Sequence, residues 1–360
     1  MNVLLLGGTG AMGTHLVPLL LSKNYDVYVT SRRTYTDKEK LHYLKGDAHG
    51  LPFLRQILTK NWDVIIDFLV YNPAEFKERV DLLLNSTKHY YFLSSARVYA
   101  DSETIINESS QRLLDTSNDS EFLKTNDYSL RKARTENILF SNSKKNYTIL
   151  RPYITFSEKR LQLGCMEKER WLFRALNGKS IVIHKDVLKH YTTLTYALDV
   201  AKSILSLIEN NKVKGEAVNL MTNVNVKWEE VLSVYKRCLW KEKGIEARVV
   251  TFDDCEELKY QGNYFAHIYD RFYDRRFSKE KFDDIDDTLV FEDPLVKLEE
   301  CLSGFLKSPK WNGINVFDIA TDDRVSHEVF PLSKLPGAKN KLKYLVFRFT
   351  PKIVLKLIRK

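Results

Sequence analysis

The chain has 360 residues, 44% hydrophobic and 29% charged, which allows a sizeable core and argues against wholesale disorder. Its 56 Lys and Arg against 47 Asp and Glu give a net charge of +9, but no nucleic-acid motif accompanies the excess; a diphosphate ligand, an anionic surface or merely a basic C-terminal end would explain it. Cys165, Cys238, Cys255 and Cys301 are too scattered for a metal site or a disulfide framework, so reduced thiols in a cytoplasmic setting are expected, and no run of about 18 apolar residues suggests a membrane span.

The opening stretch lacks a basic n-region and reads as a strand, Val3–Leu6, entering a glycine turn rather than as a signal peptide. A helix follows over His15–Ser22, with Pro18 inside it predicted to kink or loosen it. Further strands are expected at Asp26–Thr30, Leu41–Leu44, Val64–Val70, Tyr90–Leu93 and Thr148–Leu150, with helices over Pro52–Lys60 and Ala74–Ser86. Strand and helix alternating in this way predict an α/β protein: a doubly wound parallel sheet in a Rossmann fold.

The second half is less regular. Lys168–Asn177, Leu198–Glu209 and Lys227–Trp240 read as helices, Ala217–Met221 and Val249–Phe252 as strands, and 253–300 as mixed loop and helix. The division expected is a dinucleotide-binding core over 1–155 and a smaller, interleaved substrate part over 156–335. Residues 190–225 should return to the core, and 336–360 form a basic amphipathic tail.

Gly7, Gly10 and Gly13 form a GxxGxxG turn between strand and helix. A pyrophosphate site needs small residues there: one for the tight turn, one for close backbone approach, one for helix–strand packing. Ala11 and Met12 complete the expected cradle. After the second strand stand Ser31, Arg32 and Arg33, with no acid. An acid would suit the ribose 2′-OH of NAD and arginine the 2′-phosphate of NADP, so NADP is favoured over NAD. Asp47, after the third strand, is a candidate adenine contact.

Tyr128 and Lys132 are spaced as YxxxK, one helical turn apart on one face, with Asn126 or Asp127 as the cap. The lysine cation can favour the phenolate and fit the tyrosine for proton transfer. Ser94 and Ser95 end the Tyr90–Leu93 strand, where ligands of open α/β sheets bind.

These elements, with Ser94–Tyr99 (SSARVY), Leu150-Arg151-Pro152 and Leu198–Ala201 in the same order, resemble the extended short-chain dehydrogenase/reductase family over roughly the first 240 residues. That family comprises nucleotide-sugar epimerases, dehydratases and reductases. The resemblance implies Ser95 as the catalytic hydroxyl, Tyr128 as acid/base, and Lys132 as its activator and ribose contact. It also implies cofactor contacts at Leu69, Ser94 and Pro152. No metal is expected. Departures are Asp67-Phe68-Leu69-Val70 in place of a His-Leu-Ala-Ala-like run, Ala100 in place of glycine, and Ala96-Arg97 in place of the Asp–Glu of 4,6-dehydratases. The last argues against dehydration. The expected activity is epimerisation of a nucleotide-activated sugar, with an NADPH-dependent keto-reductase as the alternative; a non-catalytic redox sensor is more distant because it needs neither Tyr128 nor Lys132.

Two expectations concern partners. Family members commonly dimerise through the YxxxK helix and the one before it, here Tyr128–Phe140 and Ala74–Ser86, whose apolar residues include Leu82, Leu83, Ile138 and Leu139. Leu342–Lys360 holds six basic residues and no acid, and either packs on the enzyme's own surface or lies on the inner face of an anionic membrane, as a docked enzyme or scaffold would. Pro351 interrupts any continuous helix there.

Overall fold

A computed structural model describes residues 1–261, 263–351 and Val354. The chain forms two compact units: 1–156, 193–225 and 276–294 make the first, while 157–192, 226–275 and the described residues from 295 onward make the second.

The first unit is built on seven strands: β1 (Asn2–Leu6), β2 (Asp26–Ser31), β3 (Leu41–Lys45), β4 (Trp62–Asp67), β5 (Thr87–Leu93), β6 (Tyr147–Pro152) and β7 (Glu216–Leu220). They lie in the order β7-β6-β5-β4-β1-β2-β3, every neighbouring pair parallel. Successive side chains leave opposite faces of a strand. Val3 and Leu5 of β1 therefore join one apolar cluster and Leu4 and Leu6 another. The first cluster also takes Leu16 and Leu20 of helix α1 (Gly13–Ser22) and Ile204 and Leu207 of a later helix, Ala197–Glu209. The second takes Leu54 of α2 (Leu51–Ile57), Phe76 of α3 (Pro73–Lys77), Leu83 of α4 (Val80–Asn85) and Leu139 of α5 (Tyr128–Ser141). Each such side chain fully withdrawn from water stabilises by about 1.5–3 kcal/mol.

Several local expectations are corrected. The helix α1 runs unbroken through Pro18, which sits on its exposed side, where the carbonyl that loses its partner can face water. The 74–86 segment is two helices, because Arg79 turns inward between them: its guanidinium donates to the carbonyls of Glu75 and His49 and pairs with Glu75 at 3.0 Å. Strand β4 stops at Asp67 rather than Val70, since the Asp67 carboxylate accepts the Leu69 N–H and turns the chain. The helix expected over 168–177 is confined to Trp171–Leu176. Leu83 and Leu139 are buried in the core on their side of the sheet, and Leu82 and Ile138, partly buried, pack against it.

In the second unit, Ile181–His184 pairs in parallel with Val249–Phe252. Within 253–300 the chain forms Cys255–Gln261, Tyr264–Ala266, a π-turn over His267–Arg271, Glu280–Asp283 and Pro294–Lys307, of which Glu280–Asp283 lies in the first unit. Of the basic tail expected over 336–360, the helix Gly337–Phe349 packs on the helix Val316–Ser326, while 352–353 and 355–360 lie outside the described residues. Buried Tyr344 donates to Asp323 at 2.5 Å and accepts the Phe330 N–H at 2.7 Å. Arg324 gathers the carbonyls of Phe347, Arg348 and Thr350, closing the helix end before Pro351.

Candidate active site

A parallel sheet puts all its strand ends on one edge, so the loops after β1, β2, β3, β4, β5 and β6 share that edge. The strand order reverses between β1 and β4, and open α/β sheets bind ligands in the crevice outside such a switch.

The glycine turn follows β1. Gly7 has φ +74°, a left-handed conformation that favours glycine, and donates its N–H to Thr30 Oγ1 at 2.9 Å. A Cβ on Gly13 would lie 2.1 Å from the Gly8 carbonyl oxygen, so only glycine lets the start of α1 pack this closely on the turn. A Cβ on Gly10 would meet nothing within 4 Å. The first and third glycines thus serve the fold, while the second leaves an open approach to the backbone. Met12 caps α1 without a side-chain acceptor, and the first turn holds no acid. The positive end of the helix dipole is left for an anion. These residues fit a dinucleotide pyrophosphate.

At the end of β2, Ser31 is buried and accepts the Arg33 N–H at 3.0 Å, while Arg32 and Arg33 beyond it are exposed. After β3, exposed Asp47 accepts the His49 N–H at 3.1 Å. Leu69, beyond β4, lies over the turn: a Cβ on Gly7 would be 2.8 Å from its Cδ2. The bulkier residue that replaces alanine therefore packs directly against Gly7.

Tyr128 opens α5, capped by Asp127, whose carboxylate accepts the Ser129 N–H at 2.9 Å and hydroxyl at 2.6 Å. Four residues on, Lys132 is fully buried. Its ammonium donates to the carbonyls of Leu93 (2.5 Å) and Leu69 (3.3 Å) and stands 5.9 Å from the centre of the Tyr128 ring. It thus ties α5 to the chain at the ends of β4 and β5. Burial pulls Lys132 down from 10.5 to about 8, against the attraction of Asp67 and Glu136. The Arg97 guanidinium lies 5.5 Å from the Tyr128 ring centre and 3.7 Å from Asp127.

Ser95 and Ser94 part company. Ser95 caps the short turn Ala96–Val98, accepting the Arg97 N–H at 3.2 Å, and that turn packs against α5. The Ser94 hydroxyl, expected beside the cofactor, is committed instead to Glu136 at 2.6 Å. Glu136 is fully buried and also takes Arg151 (2.8 and 2.6 Å) and Arg112 (3.2 Å); Arg151 donates on to Tyr99, and Tyr99 to Asn219, each at 2.8 Å. This network joins β5, α5, β6 and β7 and holds the Tyr128 helix in register.

Sequence reasoning missed three features. The Glu136 network had a faint signal: Glu136 follows Lys132 by four residues on the same face. Asp67, in sequence only a departure from the family's run, is fully buried and accepts the hydroxyls of Tyr90 at 2.7 Å and Tyr71 at 2.8 Å, with burial raising its pKa. Ile154, just past Pro152, has φ +31°, a strained conformation for a β-branched residue that no sequence pattern announces.

A model of the NAD dependent epimerase/dehydratase family matches residues 3–220, more than half of the chain. The chain belongs to that family. No curated protein matches it in sequence. Solved structures with a similar fold include UDP-glucuronic acid 4-epimerase from Bacillus cereus, 16% identical with a TM-score of 0.65, covering 86% of this chain and 100% of that one. Another is dTDP-glucose 4,6-dehydratase from Bacillus anthracis, 19% identical with a TM-score of 0.64, covering 86% and 98%. A third is an epimerase from Methanothermobacter thermautotrophicus, 16% identical with a TM-score of 0.65, covering 85% and 93%. At these identities the likeness speaks for the fold.

Proposed function

We propose that this family member epimerises a nucleotide-activated sugar through a transient keto intermediate. The observation that carries the reading is Tyr128 and Lys132 on one face of α5, packed against the Ser95 turn and on the same sheet edge as the open glycine turn. The 4-epimerase fold neighbour was crystallised with UDP-glucuronic acid and NAD, which supports both ligand classes.

The backbone of Gly7–Gly13 would hold the pyrophosphate, with Lys132 toward the nicotinamide ribose. Bound there, the dinucleotide supplies a hydride acceptor that later returns the hydride. Tyr128 takes the proton of the sugar hydroxyl as that carbon is oxidised and gives it back when the carbonyl is reduced from the opposite face. Ser95 positions and polarises the reacting oxygen. The Arg97 guanidinium and the Lys132 ammonium, 5.5 and 5.9 Å from the ring centre, set positive charge beside Tyr128.

Exposed Arg32 and Arg33, with no acid beside them, favour NADP over NAD and keep an NADPH-dependent keto-reductase as the second reading. One experiment separates the two. An epimerase turns over a nucleotide-sugar panel, UDP-glucuronic acid included, without net cofactor use; a reductase oxidises one NADPH per product. Failure of both across the panel overturns the proposal. Replacing Arg32 and Arg33 with alanine should weaken NADP by roughly tenfold or more and spare NAD. Equal loss for both, measured by titration, would refute the NADP preference.

A further inference from the structure

No acidic residue follows Glu328, and the nine basic residues from Lys334 to Lys360 equal the whole chain's net charge of +9. Residues 1–328 are therefore balanced, and the excess is a property of one end. The helix Gly337–Phe349 within that end has two unlike faces. Inward, Tyr344 is buried and Phe347 meets Phe317 edge-on at 4.9 Å between ring centres. Outward, Leu342 is 65%, Val346 40% and Phe349 58% exposed. At positions i, i+4 and i+7 these three form one stripe. Lys339 and Lys343, both exposed, fall on one flank of the stripe; Lys341 falls on the other.

We propose that this outer face lies flat on an anionic lipid bilayer, with Leu342, Val346 and Phe349 at the acyl boundary and the lysines among the head groups. An apolar stripe between cations is the pattern of an interfacial helix. Nucleic acid would match the charge but leave the stripe in water. A second copy would bring like charge against like, and three side chains fall far short of the roughly 800 Å² per partner of a stable interface. No helix among the described residues is long and apolar enough to cross a membrane, so contact is confined to the surface.

The test is co-sedimentation of the full chain with phosphatidylcholine vesicles, with and without phosphatidylglycerol, at low and high salt. Binding should require phosphatidylglycerol and fall steeply with salt. Lys339→Ala with Lys343→Ala should lower partitioning on the order of tenfold. Leu342→Ser with Phe349→Ser should weaken it as well. Both pairs are exposed, so thermal unfolding should be unchanged; if the apolar pair lowers it, the lysine pair alone decides. Absence of binding to anionic vesicles, equal binding to neutral ones, or undiminished binding by the lysine pair each overturns the proposal. So does retention on DNA, or dimer formation, without vesicle binding.

Discussion

Tyr128 carries the chemistry of the proposed reaction, and its ring also packs beside Arg97. Tyr128→Phe removes the proton-transfer group and keeps the ring. Turnover should fall by about 10²–10⁴ while dinucleotide binding, measured by titration, survives. Ser95→Ala should lose less, since Ser95 positions more than it transfers. Near-full activity in Tyr128→Phe would remove the assigned mechanism and leave only the dinucleotide site. Lys132 offers a second measurement. Its folded pKa of about 8 lies below the ordinary 10.5, so the unfolded chain holds that proton more tightly. Burying the charged amine therefore costs stability below pH 8, and the cost fades as pH rises toward 10.5. Lys132→Met should resist denaturant better than the parent at pH 7, by a few kcal/mol at most. Leaving the Leu69 and Leu93 carbonyls unpaired reduces that gain. The difference between pH 7 and pH 10 is the diagnostic, and a gain that does not shrink at pH 10 would contradict the burial argument.

At the level of elements, the glycine turn separates fold from ligand. Gly13→Ala places a methyl group 2.1 Å from a backbone oxygen that has nowhere to go, and should destabilise the first unit by about 1–3 kcal/mol or more. Gly10→Ala meets only open space, so the fold should hold while dinucleotide affinity drops. Thermal unfolding paired with cofactor titration reads both effects, and a Gly10→Ala protein that binds normally would place the pyrophosphate elsewhere. Much of this turn is legible in the sequence, because glycines at GxxGxxG spacing between a strand and a helix have few physical uses. The break between α3 and α4 was not: the apolar period runs through 74–86, and only the inward turn of Arg79 toward His49 decides where the helix stops. Asp67 ends its strand early for a similar reason, since the run to Val70 is apolar but the Asp67 carboxylate captures the Leu69 N–H.

For the whole molecule, the C-terminal helix is part of the second unit's core rather than an appendage. Phe173, Ile319, Phe330, Leu335 and Tyr344 form one apolar cluster. Deleting residues 337–360 would strip Tyr344 from it and leave Asp323 without that hydroxyl donor. A loss of about 3–5 kcal/mol is expected, read as an earlier or separate unfolding transition. An unchanged transition would show that the cluster holds without the helix. For the same reason a truncation cannot isolate lipid binding, whereas substitutions on the exposed stripe can.

Local pattern was enough to establish the parallel sheet, the glycine turn and the YxxxK helix, because side-chain period and turn chemistry act over a few residues and need no distant partner. The candidate site was legible to the same depth, in Gly7–Gly13, Ser95, Tyr128 and Lys132. Only the tertiary structure decided which hydroxyl of Ser94 and Ser95 is spent on Glu136, where Lys132 anchors, and that Asp67 lies fully buried beneath two tyrosines. It alone showed which face of the tail is hidden. Those outcomes depend on pairings such as Glu136 with Arg151, and Arg324 with the carbonyls of Phe347 to Thr350, that form between segments distant in the chain. A sequence records both partners of such a pair without recording that they meet.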